Sequence, residues 1–523
     1  MTTAAAPAPA PCLLDDPLAS HAALRPDAVA SVCGETRWTW RQLLGRVELV
    51  AGALAASGVG HGDRVAWLAQ NCHRYLETML ACGRLGAVFT PLNWRLSAGE
   101  LAFVLSDCDP RVVFWQRPEI EARVVAARAA TTLAAEWVEL DTDDTASDGT
   151  FSRWIRREPS ATGTRPPATD PALMLYSGLS DGRPVGVYLS HTGLLTQAWY
   201  GVAFGGASGS DVYLNSGPLF HVGTLKTTLA TYAAGGTNVF VARAQARLLC
   251  QVIARERCTG AFLQPVTIEQ LVAENADHRY DLSSLRAKPG PVAWNEMVSP
   301  AGSGRYRSGY GQTELGGVVT FIDSQRAALG QAGFPAPLLR LAALSPDGAP
   351  LGPGEIGELA VRGPVVAAGY HRRPEVTARR QAQGWHHTTD LGRLETDGSV
   401  TFIGPMTQLI KSGAENIYPA EVEACLRTHP AVRDVGVLGV PDPVWGQAVT
   451  AVVVAVDPVT AEVLVAHCRQ HLASYKKPRR VLFAAALPRR DGGLDRAALD
   501  RAFGGGGYPG TGPPNGSTGP GPR

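Results

Sequence analysis

The sequence predicts an α/β protein in which a large N-terminal domain is followed by a small α+β domain. In the first half of the chain, short apolar runs at residues 64–71, 87–93 and 111–116 alternate with helical stretches such as residues 76–86. That alternation is typical of parallel α/β units. A chain of 523 residues is also too long for one ordinary core, so at least two domains are expected.

The pattern changes after about residue 404. From there a helix, two strands and a second helix are expected at residues 421–429, 432–442, 448–456 and 461–473. The sequence therefore predicts a large domain over residues 16–404 and a small one over residues 405–503. The two ends, residues 1–15 and 504–523, are rich in Ala, Gly and Pro and hold few apolar side chains, so both are expected to be disordered tails.

Charge and cysteine content restrict the class of partner and the compartment. The formal net charge is +1 and no run of like charges occurs, so a small molecule is expected as partner rather than a nucleic acid. Nine cysteines are scattered without CxxC or Cys/His spacing, which argues against zinc and against disulfides and favours a reduced cytoplasm. The N-terminus does not read as a signal peptide and no 18-residue apolar run occurs, so no membrane partner is expected.

Residues 308–317 read SGYGQTELGG and contain the Tyr-Gly-x-Thr-Glu signature of adenylate-forming enzymes. Six further segments match that family in the right order and spacing. They are PLNWRLSAGEL (91–101), PLFHVG (218–223), GELAVRG with GYHRRPEVT (357–377), GWHHTTDLGRL (384–394), IKSGAENIYPAEVE (410–423) and SYKKPRRVLFAAALPRR (474–490). The chain therefore resembles the adenylate-forming, AMP-binding superfamily, and within it the acyl-CoA synthetases.

The resemblance implies a large multi-sheet N-terminal domain, a small mobile C-terminal domain and an active site between them. It also implies a two-step ligase. A small organic acid attacks the α-phosphorus of ATP in the presence of Mg²⁺, which gives an acyl adenylate and pyrophosphate. A thiol or an amine then displaces AMP. The implied cofactors are ATP and Mg²⁺, with CoA as a possible acceptor; an amine or a carrier protein is an alternative acceptor.

The signature motif supplies the first set of site residues that the resemblance implies. Glu314 is expected to hold Mg²⁺, because a carboxylate beside a hydroxyl suits a hard cation. Thr313 and Tyr310 correspond to positions that contact phosphate and adenine, and Gln312 is assigned to the nucleotide with them.

Three further residues are placed by other matching segments. Asp390 corresponds to the carboxylate that binds the ribose hydroxyls, although Thr389 stands where the family usually has glycine. His221 corresponds to the group that gates the acyl pocket. Lys411 belongs to the loop over which the second substrate passes.

The phosphate loop keeps several glycine and hydroxyl positions of the family motif but lacks its positively charged lysine. It reads YSGLSDGRPVGV at residues 176–187, where the family has Tyr-Thr-Ser-Gly-Thr-Thr-Gly-x-Pro-Lys-Gly-Val. Ser177 and Ser180 still offer hydroxyls and Gly182 keeps its place, but Asp181 replaces a threonine and Val185 replaces the lysine. An added carboxylate and a missing ammonium both disfavour pyrophosphate.

Cations are also lost at two other positions. Pro405 replaces the hinge arginine and Gln408 the hinge aspartate. Leu494 stands at the position where the family has the lysine that bridges the substrate carboxylate and the α-phosphate. Drift towards arginine would have kept the charge, so these losses indicate relaxed or redirected chemistry.

Three hypotheses follow for function. The first is an active ATP-dependent ligase of the acid–thiol class. The second keeps the fold but redirects the reaction within secondary metabolism, towards amide ligation or towards ATP-dependent diazotisation of an aromatic amine with nitrite. The third is a catalytically weak or non-enzymatic homologue that binds a ligand, and fold analogy alone does not separate the three.

Overall fold

The structure is a computed structural model. It describes residues 12–140, 150–157, 165–178, 184–287, 290–300, 306–323, 332–406, 409–413, 415–490 and 493–506. The α/β class predicted from the sequence is confirmed, with a large N-terminal domain and a small C-terminal one.

The α-helices, in chain order, are α1 Asp16–Leu24, α2 Trp40–Ala56, α3 His73–Leu85, α4 Ala98–Cys108, α5 Glu121–Ala129, α6 Thr150–Trp154, α7 His191–Ala203, α8 Val222–Ala234, α9 Ala246–Glu256, α10 Pro265–Glu274, α11 Val292–Met297, α12 Pro374–Arg380, α13 Pro419–Arg427, α14 Ala461–His471 and α15 Arg496–Phe503. Two 3-10 turns, Thr313–Leu315 and Ala382–Gly384, accompany them.

The strands, in chain order, are β1 Val29–Cys33, β2 Thr36–Thr39, β3 Arg64–Leu68, β4 Val88–Pro91, β5 Val112–Trp115, β6 Glu136–Glu139, β7 Pro171–Gly178, β8 Pro184–Ser190, β9 Val212–Asn215, β10 Thr237–Phe240, β11 Gly260–Ala261, β12 Arg286–Ala287, β13 Ser299–Pro300, β14 Tyr306–Ser308, β15 Gly311–Gln312, β16 Gly317–Val318, β17 Thr320–Asp323, β18 Phe334–Pro335, β19 Arg340–Leu344, β20 Gly357–Arg362, β21 Gly369–Tyr370, β22 His386–Leu394, β23 Val400–Pro405, β24 Ile410–Ser412, β25 Glu415–Ile417, β26 Val432–Asp442, β27 Gly446–Ala455, β28 Arg480–Phe483, β29 Arg489–Arg490 and β30 Gly493–Leu494.

A seven-stranded sheet in the order β21-β8-β7-β4-β3-β5-β6 forms the centre of the large domain. Strands β3, β4, β5 and β6 pair in parallel, as the alternating apolar runs predict. In its core the Tyr75 ring of α3 packs edge to face with Trp67 and with Phe89, and Trp67 also lies at a tilt against Phe114. Contacts of this kind add specific geometry to the burial of large apolar areas.

The described part of the large domain also contains two further large sheets and three small ones, β12-β13, β14-β17-β18 and β15-β16. A five-stranded sheet has the order β11-β9-β10-β1-β2, and a four-stranded antiparallel sheet has the order β19-β20-β22-β23. Helix α2, which packs against α3, begins with a capping box in which Thr39 accepts a hydrogen bond from the Gln42 backbone N–H, and the Gln42 side chain accepts one from Thr39. Strand β22 of the four-stranded sheet carries Asp390, so that sheet fixes one wall of the site.

The small domain is built on strands in the order β25-β24-β27-β26, with β28 paired to β27. The long antiparallel pair β26–β27 provides its core, and α13 and α14 pack against it. Lys411 lies in the β24–β25 hairpin, opposite Asn416, and this hairpin faces the large domain.

The predicted N-terminal tail is wrong for its last residues. Leu13 and Leu14 are fully buried, and the Leu14 backbone N–H donates to Nδ1 of His191 at 3.1 Å. At the other end, residues 504–506 pack onto the small domain, where the Gly506 N–H donates to the Gly439 carbonyl. Residues 1–11 and 507–523 lie outside the described residues.

Candidate active site

A cavity of about 1370 Å³ lies between the large and the small domain. It gathers most of the residues that the sequence motifs single out. Its lining includes Ser177, His221, Gln312, Thr313, Glu314, Thr389, Asp390, Pro405, Lys411, Asn416 and Tyr418. Ser180 and Gly182 of the phosphate loop, and Gln408 of the hinge, lie outside the described residues.

One wall of the cavity is a hydrogen-bonded network around Asp390. The Tyr310 hydroxyl donates to Oδ2 of Asp390 at 2.6 Å, and the Gln312 side-chain amide donates to the same oxygen at 3.0 Å. The Tyr310 ring stacks on Phe402 with ring centroids 5.5 Å apart. Burial raises the pKa of Asp390 to about 6, although both hydrogen bonds oppose that rise. The network holds a carboxylate in place beside an aromatic ring, which suits a ribose and its base.

Glu314 lies in the 3-10 turn Thr313–Leu315, next to this network. Its side chain is buried, and the Tyr370 hydroxyl donates to its Oε1 at 3.2 Å. The turn ends at Gly316, whose φ of +63° favours glycine. A buried carboxylate beside the Thr313 hydroxyl is a donor set that fits Mg²⁺.

A second network joins the two domains at His221. Nε2 of His221 lies 3.0 Å from Oε2 of Glu415, and Arg95 donates to Oε1 of the same carboxylate at 2.8 Å. Burial would raise the pKa of Glu415, but the hydrogen bond and charge of His221, together with Arg95, hold it below its usual range. The charged Glu415 thus connects the small-domain loop to the histidine that the sequence singles out.

An apolar wall continues from His221. It is formed by the first turn of α8 and by residues 262–266 at the start of α10, with Val222, Phe262, Leu263, Pro265 and Val266 lining the cavity. Gly223 adds no side chain between them, and Thr224, Lys226 and Gln264 of the same segments add polar groups. The apolar part of this wall fits a flat apolar group.

Lys411 lines the cavity from the small domain. Its backbone N–H donates to the Gln447 side chain at 2.7 Å, which fixes the start of the loop. Burial lowers the pKa of Lys411, whereas the charges of Asp390 and Glu415 raise it. Two residues on, Gly413 has a φ of +63° and lies against the Trp445 ring, so a larger side chain there would be strained.

Ser177 lines the cavity at the end of β7, at the start of the phosphate loop. The next residue, Gly178, is covered by the ring of Tyr418 from the small domain. Any side chain at position 178 would collide with that ring. The absence of a Cβ at Gly178 therefore permits the closed arrangement of the two domains.

Two of the substituted cation positions do not face the cavity. The interpretation of Val185 as a phosphate-facing residue is wrong for this structure, because its side chain is 1% exposed and packs in the core of the large domain. Leu494 packs against the small-domain cluster that contains Leu499. Pro405 does line the cavity.

Arg489 and Arg496 do not replace the lost lysine in this arrangement. Arg489 donates to Asp434. Arg496 donates from both terminal nitrogens to Glu423, with Nη2 at 2.8 Å from Oε2, and also to the Val437 carbonyl. Both guanidinium groups are therefore engaged inside the small domain.

Sequence reasoning missed Arg380 at the end of α12. Arg380 lines the cavity, and its Nη1 donates to the His387 carbonyl at 2.8 Å. Burial raises the pKa of Tyr370, Tyr418 and Asp390, and the positive charge of Arg380 opposes that rise at all three side chains. Its charge therefore acts on both the Glu314 side and the Asp390 side of the cavity. The signal was the Arg379–Arg380 pair, which lies between two matching segments.

The backbone of Thr389 has a conformation that is unusual for threonine. Its φ is +57°, in the left-handed region that a β-branched residue rarely adopts. The Thr389 N–H donates to Oε1 of Glu358 at 2.8 Å. The turn before Asp390 thus keeps a glycine-like conformation with a threonine in it.

Two family models match the chain. The model described as AMP-binding enzyme matches residues 18–371, and the model described as AMP-binding enzyme C-terminal domain matches residues 421–493. No helix among the described residues has the length and apolar character needed to cross a bilayer.

Curated relatives and solved structures give the same picture. A feruloyl-CoA synthase from Amycolatopsis sp. is 35% identical, over 92% of this chain and 98% of its own. An indoleacetate–CoA ligase from Aromatoleum aromaticum is 36% identical, over 90% of this chain and 94% of its own. Among solved structures, an amide bond synthetase from Marinactinospora thermotolerans is 28% identical with a TM-score of 0.79, over 94% of this chain and 100% of its own.

Proposed function

The chain belongs to the family of AMP-binding enzymes, and on that premise we propose that it activates a small aryl-substituted carboxylic acid with MgATP and transfers the acyl group to CoA. The observation that carries the proposal is one cavity that combines the Asp390 network, the buried Glu314 and the apolar wall beside His221. Within this proposal the division between the two domains falls at residues 404 and 405.

The first step forms the acyl adenylate. A carboxylate oxygen of the acid bonds to the α-phosphorus of ATP while the bond to the β-phosphate oxygen breaks, and pyrophosphate leaves. Asp390 accepts hydrogen bonds from the ribose hydroxyls. The hydrogen bonds that Tyr310 and Gln312 donate to its Oδ2 fix the orientation of the carboxylate for this role. Glu314 and Thr313 would hold Mg²⁺, which would neutralise charge on the phosphates when bound.

Positive charge for the phosphates comes from different positions than in the family pattern. Arg380 and Lys411 both line the cavity, one from each domain. Arg380 is anchored by one N–H to the His387 carbonyl, which leaves further guanidinium N–H groups for phosphate oxygens. The cavity thereby keeps positive charge although positions 185, 405 and 494 carry none.

The acid is proposed from the apolar wall and from the relatives. Phenylalanine, leucine, valine and proline side chains beside His221 suit an aromatic ring, and two relatives of about a third identity are named for feruloyl and indoleacetyl thioesters. His221 stands between this wall and Glu415, at the place where the acyl carbon would meet the acceptor.

In the second step the sulfur of CoA bonds to the acyl carbon while the bond to the AMP oxygen breaks. The loop at Lys411 and Gly413 presents backbone and a cation at the cavity for this acceptor. Amide ligation is the second candidate, because the amide bond synthetase shares the fold over nearly all of this chain. A carrier protein as acceptor, a role in secondary metabolism and a cytoplasmic location stay predictions.

The test is a product assay with purified protein, MgATP, CoA and a panel of hydroxycinnamic, indoleacetic, benzoic and straight-chain acids. Mass spectrometry should show an aryl-CoA thioester together with AMP and pyrophosphate. Replacing CoA by amines tests the second candidate through the amide product. Folded protein that releases no pyrophosphate with any acid would rule out both candidates.

A further inference from the structure

A cluster of sulfur and imidazole groups lies on the small domain, on helices that the proposed chemistry does not use. Cys425 on α13 and His467 and His471 on α14 each place one possible ligand atom within 4.8 Å of the other two. Cys425 is buried, His467 is half-buried and His471 is exposed. The geometry points to a zinc site formed by Cys425, His467 and His471.

Helical spacing brings the two histidines together. His467 and His471 are four residues apart on α14, so their side chains lie on one face of the helix. Their rings are 4.4 Å apart between centroids. Helix α13 packs beside α14 and supplies the cysteine, which gives the mixed sulfur and nitrogen set that zinc prefers.

The hydrogen bonds of both rings leave a lone pair for a metal. Nδ1 of His471 lies 2.8 Å from the His467 carbonyl, and Nε2 of His467 lies 3.1 Å from the Cys425 carbonyl. Nε2 of His467 also lies 2.8 Å from the Thr428 hydroxyl, whose own proton goes to the Cys425 carbonyl. All three neighbouring oxygens therefore accept, so we assign the proton to these two nitrogens and leave the other nitrogen of each ring basic. Metal-binding histidines typically donate their second ring N–H to a carbonyl in this way.

The Cys425 side chain is buried where α13 packs on α14, in the same core cluster as Cys468 of α14. His429, whose ring centroid is 5.2 Å from that of His467, is a candidate for the fourth ligand.

Zinc bonds of about 2.0–2.3 Å place tetrahedral ligand atoms on the order of 3.5 Å apart, so the cluster must contract slightly. The exposed His471 can supply that movement by rotation of its side chain. Bound zinc would join α13 to α14. It would do so close to the large domain, where the Ser97 hydroxyl donates to the His471 carbonyl at 3.0 Å.

The experiment uses the full, tag-free chain with a phosphine reductant and titrates Co²⁺ and then Zn²⁺. One equivalent of Co²⁺ should give tetrahedral d–d bands and a thiolate charge-transfer band, and Zn²⁺ should displace it. His471→Ala should weaken Zn²⁺ binding at least about tenfold, and Cys425→Ser should remove the charge-transfer band. His278→Asn, which changes an exposed histidine of the large domain, serves as the control and should bind as the wild type does.

Thermal unfolding gives a second readout. Zn²⁺ should raise the melting temperature of the wild type and of His278→Asn, but not that of His471→Ala, which removes only an exposed side chain. Wild-type protein that binds no Zn²⁺ would overturn the site. So would a charge-transfer band that survives Cys425→Ser, or equal affinity in wild type and His471→Ala.

Discussion

Two parts of the molecule differ in how much of the family pattern they keep. The first is the wall of the cavity around Asp390, the nucleotide wall, and the second is the set of positions at which the family has phosphate-binding cations. Tyr310, Gln312 and Asp390 form a polar network around one carboxylate oxygen, and Glu314 stays buried beside it. Val185, in contrast, now packs in the core of the large domain. The groups that we propose for nucleotide and metal are thus retained, whereas a position where the family has a cation is packed in the core. The positive charge available to phosphates in this cavity therefore lies at other positions, such as Arg380 and Lys411.

The largest expected effect is at Glu314. Glu314→Gln removes the charge that we propose holds Mg²⁺, and acid-dependent pyrophosphate release should fall by roughly 100-fold or more. Glu375→Gln is the matched control, because Glu375 also lines the cavity but is exposed on α12. Equal rates in the two variants would show that the nucleotide wall does not hold the metal.

Val185→Lys tests whether the cation position has become structural. The side chain is 1% exposed within an apolar core, so a lysine there should lower the free energy of unfolding by on the order of 3 kcal/mol. Denaturant unfolding measures the loss, and Val185→Ile, an apolar change, is the control. A stable Val185→Lys variant with faster pyrophosphate release would mean that position 185 still faces the phosphates.

The raised pKa of Asp390 predicts a dependence of stability on pH. A folded pKa of about 6, above the ordinary value near 3.8, means that charged Asp390 costs stability above pH 6. That cost is relieved as the pH falls from about 6 towards 4. Asp390→Asn should therefore be more stable than wild type at pH 7.5, by on the order of 1–2 kcal/mol, and should bind ATP more weakly.

Denaturant unfolding at pH 7.5 and at pH 4.5 checks this prediction. The difference between Asp390→Asn and wild type should shrink at the lower pH, where wild-type Asp390 is protonated in the folded state. A difference that stays constant over this range would show that Asp390 has an ordinary pKa.

Arg380→Gln should weaken MgATP binding by roughly tenfold, as expected for one charge-assisted contact to phosphate. Binding of adenosine, which carries no phosphate, should not change. Arg433→Gln is the control, since Arg433 also donates to a backbone carbonyl but lies on the small-domain surface. Isothermal titration calorimetry measures both ligands, and an equal loss for ATP and adenosine would make Arg380 a purely structural residue.

The smallest effect is expected at Thr389. Its φ of +57° strains a β-branched residue, so Thr389→Gly should raise the free energy of unfolding by about 0.5–1 kcal/mol. The backbone hydrogen bond to Glu358 is kept in this variant. Thr388→Gly, which removes the hydroxyl bonded to the Leu359 carbonyl, should destabilise instead. Thermal unfolding of the two variants checks the opposite signs.

The features that were predicted correctly from the sequence are those that depend on local sequence pattern. Alternating apolar runs indicated the parallel strands β3, β4 and β5, and ordered motifs placed Glu314 and Asp390, which the structure brings to one cavity. The sequence did not predict that Val185 packs inward, because the direction of a side chain depends on how β8 pairs with β7. Arg380 and the Cys425 cluster were missed because their groups meet only through tertiary packing of helices.

The measurement that tests the account most directly is acid-dependent exchange of labelled pyrophosphate into ATP by the wild-type protein, with an aryl acid identified from the panel. The account predicts exchange in wild type, a reduction of about tenfold in Arg380→Gln and none detectable in Glu314→Gln. Absence of exchange in wild type, with exchange restored by lysine at positions 185 and 494, would contradict it. That result would show that the family's own cations are indispensable and that Arg380 does not replace them.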